Sequence, residues 1–143
     1  MNPHPPPQPL PIIHHPQTIH TLPQESFPPP SPNNLTWRTL LSTPSTPSSD
    51  MCAGLASCPP YAGHLALHRH KQAEIYYITA GSGDVIIEGT EHAVSAGTVV
   101  FIPGDAEHGV RNRGAEVLEW FYVFPTPGFG DVVYRFGGEG GGL

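Results

Sequence analysis

From Asn34 onward the apolar positions come in short runs, each stopped by Gly, Pro, Asn or Ser, and no window of useful length repeats them at helical spacing. The pattern predicts strands over 35–41, 51–58, 64–70, 74–79, 83–88, 91–94, 98–102, 109–112, 116–124 and 131–136. Turns fall between them at Gly81-Ser82-Gly83, Glu88-Gly89-Thr90, Pro103-Gly104-Asp105 and Pro125-Thr126-Pro127-Gly128. Many short strands with no helices between them predict an all-β fold, an antiparallel sandwich or barrel. About a hundred residues suffice for one such core.

Before that point the pattern dissolves. Twelve of the 19 prolines precede Asn33, whereas the glycines gather after Ala53. Repeated Pro removes backbone donors and holds the chain extended, so residues 1–33 are expected to be a Pro-rich arm, largely disordered or docked on a sheet edge. The β-branched residues of Pro11–His14 and Thr18–Leu22 would let the arm add an edge strand. Residues 34–137 are then the barrel, and the Gly-rich 138–143 a flexible tail.

Charge narrows the partners. Six Lys and Arg stand against twelve Asp and Glu, with no basic run, so nucleic acid is not an expected partner. No apolar run is long enough for a membrane helix, and the Pro-broken N-terminus is unlike a signal peptide, so a cytoplasmic protein is expected. Cys52 and Cys58 lie well apart on one predicted strand and are expected to stay unbridged, as small buried residues.

The chemistry concentrates in Gly63-His64-Leu65-Ala66-Leu67-His68-Arg69-His70-Lys71-Gln72-Ala73-Glu74. Strand alternation puts His64, His68 and His70 on one face, and Glu74 opens the next strand. Imidazoles at i and i+2 with a neighbouring carboxylate suit Fe(II), Mn(II), Ni(II), Zn(II) or Co(II). A further ligand could come from a later strand, and His108, emerging from the Pro103-Gly104-Asp105 turn, is a candidate. Tyr76 shares the parity of Glu74 and should face inward, with Tyr77 outward. Trp120 and Tyr122 should line the interior from the last long strand, and Arg111 and Arg113 should lie at the surface.

Two motifs frame these residues. His68, His70, Glu74 and Gly81 match the first sequence motif of the cupin superfamily, and Gly97, Pro103, His108 and Asn112 match the second. Gly63 stands four residues before His68 where the motif has five, and Asp105 replaces a motif glycine. The resemblance implies a jelly-roll barrel in which His68, His70, Glu74 and His108 bind one divalent metal, with Fe(II) first and Mn, Ni, Zn or Co next. It implies a small-molecule substrate and a homodimer. His64 and Tyr76 are the candidates for moving a proton, and Trp120 and Tyr122 for the substrate pocket.

The domain is also similar to small cupins of fungal polyketide pathways, described as oxidoreductases. That resemblance implies a metal-dependent oxidoreductase acting on an aromatic or polyketide-derived intermediate of secondary metabolism. The alternatives are a non-redox lyase, isomerase, decarboxylase or cyclase, and a non-catalytic binding protein.

Overall fold

The computed structural model describes residue 3 and residues 8–137. The tail expected at 138–143 lies outside them. Ten strands follow one short helix: α1 (Pro16–Thr21), β1 (Thr36–Leu41), β2 (Cys52–Cys58), β3 (Gly63–Arg69), β4 (Glu74–Ala80), β5 (Ser82–Ile87), β6 (Thr90–Ser95), β7 (Val99–Ile102), β8 (His108–Asn112), β9 (Leu118–Phe124) and β10 (Arg135–Phe136). They form two five-stranded sheets, ordered β1-β2-β9-β4-β7 and β10-β3-β8-β5-β6. Every pairing is antiparallel. This is the all-β jelly-roll expected from the turn-bounded runs.

The core lies between the sheets. Leu65, Val85 and Val110 of one face Cys58, Tyr76, Ile78 and Trp120 of the other, all of them buried. Burying a large apolar side chain of this kind is worth about 1.5–3 kcal/mol. Asn112, from the second motif, is spent on architecture. Its Nδ2 donates to the carbonyls of Cys58 (3.2 Å) and Glu116 (2.8 Å), and its Oδ1 accepts from Gly114 N–H (3.0 Å). Both cysteines are free and buried. Burial pushes the Cys52 thiol up to about 11 and the Cys58 thiol to about 12, so neither is a nucleophile at neutral pH.

Two expected strands take another form. Thr18–Leu22 falls in and just after α1, because Pro16 suits the first helical turn and the Ile19 amide reaches back to the His15 carbonyl (3.0 Å). The stretch 131–136 begins in a 3-10 turn over Phe129–Asp131 and is strand only at β10.

The arm lies along the β1 edge. Glu25 and Trp37 exchange backbone hydrogen bonds of 2.7 and 3.0 Å, and the Arg38 guanidinium donates to the Leu22 carbonyl. His14 Nε2 meets the Leu40 carbonyl (2.8 Å), and Phe27 packs edge-on to Trp37 at 5.1 Å. Among the described residues no helix is long and apolar enough to cross a membrane.

Candidate metal centre and its cavity

His68 lies in β3, His70 just past its end, Glu74 at the start of β4 and His108 at the start of β8. Across the ladder, His68 pairs directly with His108. The turn before His108 is pressed against the first motif. A Cβ on Gly104 would stand 2.4 Å from the Lys71 carbonyl, so no larger residue fits there. The Asp105 amide donates to the His70 carbonyl (2.8 Å), tying the two motifs together.

All four side chains are removed from water, with exposures of 0% for His68, 1% for His70, 4% for Glu74 and 0% for His108. Each imidazole is oriented by a carbonyl: His68 Nδ1 by Ala66 (2.7 Å), His70 Nδ1 by Gln72 (2.9 Å) and His108 Nδ1 by Ala106 (2.9 Å). A carbonyl only accepts, so each Nδ1 carries the proton and each Nε2 presents a bare lone pair. Burial, with His108 close by, pushes the His68 imidazole down to about 2, which keeps it neutral at neutral pH.

The lone pairs converge. Potential ligand atoms of the three histidines lie within 4.8 Å of one another. Glu74 Oε1 is 3.2 Å from His70 Nε2 and 3.4 Å from His108 Nε2. None of these four atoms has a hydrogen-bond partner. Four buried acceptors facing one another are unfavourable unless a cation sits among them. Three imidazole nitrogens and one carboxylate oxygen therefore fit a divalent metal of the first transition row.

Beside the ligands is a narrow cavity of about 20 Å³, lined by Glu74, Tyr76, Trp120, Tyr122, Tyr134 and Trp37 among others. As it stands it has room for about one water, so a small ligand would enter as its aromatic side chains move apart. No Lys or Arg is among the described residues that line it. Burial, reinforced by the Glu74 charge, pushes the hydroxyls of Tyr76, Tyr122 and Tyr134 up from their ordinary value.

The structure brings Tyr76, Trp120 and Tyr122 to this cavity, and leaves His64 outside it. A bulge explains His64. On β3, Leu65 pairs with Val110 but His68 with His108, so Ala66 and Leu67 together oppose the single Gly109. Parity reverses across that extra residue, and Leu65 rather than His64 lines the cavity. His64 lies in an open surface depression with Tyr61, Arg111 and Arg113. Several cavity residues were not singled out by the sequence, among them Trp37, Phe27 and Tyr134. Trp37 lies on β1, Phe27 on the arm, and Tyr134, just before β10, packs its ring at a tilt against His68 with centroids 4.7 Å apart. All three lie outside the two motifs, and only the aromatic character of residues flanking the barrel could have pointed to them.

Residues 54–124 match the family described as Cupin domain. The chain is 41% identical over 108 residues to the dimethylsulfoniopropionate lyase DddW of Ruegeria pomeroyi, covering 75% of this chain and 69% of that protein. It is 34% identical over 65 residues to an oxalate-binding protein of Thermotoga maritima, covering 45% of this chain and 54% of that one. Among solved structures, the polyketide cyclase RemF of Streptomyces resistomycificus superposes with a TM-score of 0.71 at 21% identity, covering 88% of this chain and 84% of that one. At that identity the likeness shows the fold alone.

Proposed function

Because the chain belongs to the cupin superfamily, we propose that it is a metal-dependent, non-redox lyase acting on a small carboxylic acid with a leaving group on its β carbon. The observation that carries this reading is the 41% identity, over most of both chains, to a dimethylsulfoniopropionate lyase. The site supports it. Tyr76 follows Glu74 by two residues on β4, lines the same cavity, and lies with its ring 6.4 Å from that of His108. The oxidoreductase expected from the fungal resemblance has no counterpart in the names of these relatives and gives way to the lyase alternative.

Tyr76 is the base in this reading. Burial holds its proton on at neutral pH. A divalent cation bound by His68, His70, Glu74 and His108 would supply the positive charge that eases loss of that proton and stabilises charge growing on the substrate carboxylate. Tyr76 oxygen takes the proton from the carbon beside the carboxylate. The C–H electron pair becomes the new C=C bond, and the β substituent leaves with its own bonding pair. The buried aromatic walls keep water from competing for the proton. Iron(II) remains the metal we expect first, and the working unit a homodimer formed over the apolar outer face of the β1-β2-β9-β4-β7 sheet.

The test supplies metal-loaded protein with dimethylsulfoniopropionate under anaerobic conditions and follows alkene protons by NMR. Alkene should appear without oxygen. Tyr76→Phe should keep its metal and slow turnover by about 10²–10⁴-fold, whereas His108→Ala should lose the metal. Product that forms only with oxygen would return the protein to the redox class.

A further inference from the structure

We propose that Trp37 anchors the substrate through its indole N–H, and that the molecule held there is recognised as an oxygen acceptor by neutral donors instead of by a cationic side chain. The proposal deepens the lyase reading and rests on it for the substrate's carboxylate. Trp37 is 9% exposed, lines the cavity, and its Nε1 has no hydrogen-bond partner among the described residues. A buried donor left unpaired costs about 1–3 kcal/mol, and folded proteins seldom leave one so.

No acceptor among the described residues lies within hydrogen-bond reach of that nitrogen. The indole ring packs against the rings of Phe27 (5.1 Å) and Phe129 (5.8 Å). Glu74 is the one carboxylate lining the cavity, and its Oε1 faces the imidazoles of His70 and His108. Those ring contacts limit reorientation of the indole, and both backbone hydrogen bonds of the Glu25–Trp37 bridge fix the main chain that carries it. A donor so placed, with no acceptor in reach among the described residues, is satisfied by what the cavity binds.

That occupant needs an exposed oxygen lone pair. With no Lys or Arg on the described walls, its carboxylate would be held by the indole N–H and the hydroxyls of Tyr122 and Tyr134, with a cation bound by the four ligands supplying the positive charge. Recognition by neutral donors favours a small monocarboxylate or carbonyl compound over dicarboxylates and phosphate esters, whose extra charge would be buried without a partner.

The experiment uses the full chain, labelled with ¹⁵N and loaded with diamagnetic Zn(II). The sequence has two tryptophans, so two indole N–H resonances are expected, and Trp37→Phe assigns them. Acrylate is titrated as a small carboxylate, and allylammonium as a partner of matched size without an acceptor. The Trp37 resonance should move downfield, saturably, with acrylate and stay still with allylammonium. Trp37→Phe should weaken acrylate binding about 3–10-fold, with metal content and unfolding midpoint held, where a merely structural tryptophan would lower the midpoint.

A Trp37 resonance that does not respond to acrylate overturns the proposal, as does undiminished affinity in Trp37→Phe. Should that variant fail to fold, the wild-type resonance decides alone. Turnover is read in the separate Tyr76→Phe assay, so the anchor can fail while the lyase stands, or the lyase fail while the anchor stands.

Discussion

Asp105 takes φ +63 in the turn that delivers His108, in the left-handed region that costs most L residues roughly 1 kcal/mol and Asp somewhat less. Its carbonyl accepts from Arg69 (2.7 Å), and its carboxylate pairs with Arg135. That pair is exposed on both sides and is worth little. Asp105→Gly should therefore stabilise the metal-free protein by about 0.5–1 kcal/mol in denaturant unfolding, with metal content unchanged. A fall in stability would mean that the Arg135 pair outweighs the backbone term. The sequence marks Asp105 as a departure from the motif, yet the backbone keeps the conformation that a glycine would take. Alternation alone separates buried Tyr76 from exposed Tyr77. It fails at His64, because a period of two does not survive a bulge that the sequence does not announce.

At the scale of elements, the arm is the part that composition describes least well. Proline content speaks for an extended chain, whereas the docking depends on Glu25 meeting the β1 edge and Phe27 meeting three rings. Phe27 lies 5.1 Å from Trp37, 5.5 Å from Tyr134 and 5.9 Å from Phe136, each edge-on. Aromatic pairs of this kind are worth about 0.5–1.5 kcal/mol each beyond the area they bury. Removing residues 1–27 should lower unfolding stability by about 2–4 kcal/mol and raise KM more than it lowers kcat, because Trp37 loses its outer support while the ligands keep theirs. Equal stability with and without the arm would show that it does not dock in solution. Strand positions were legible because each is bounded by turn residues. The contacts of the two chain ends were not, since they join residues a hundred positions apart.

Seen whole, the molecule carries a largely apolar face on the outside of one sheet, with Glu119 at one end of its β9 row. Ile75 pairs with Phe101 and Val123, and Tyr77 with Val99 and Phe121, so two rows of large side chains cross β7, β4 and β9. Val99 and Phe101 are 66% and 63% exposed, on the strand that ends the sheet. A surface of this kind is costly to leave in water. The homodimer proposed above would cover it by matching this face to itself across a two-fold axis. Phe101→Lys should halve the mass seen by sedimentation while leaving metal content intact. A wild-type protein that sediments as a monomer would remove the dimer altogether.

The bulge in β3 also bears on how this chain can change over generations. It lies between Gly63 and His68, the interval that is one residue shorter than the motif requires. Gaining or losing a bulge there can reset the ladder before the ligands begin, but it also moves the Ala66 carbonyl that orients His68. Beyond His68 there is no such slack: one inserted residue between His68 and His70 would turn an imidazole toward solvent. A change of length ahead of the site is thus felt through the partner of one imidazole, and a change inside it by the imidazoles themselves.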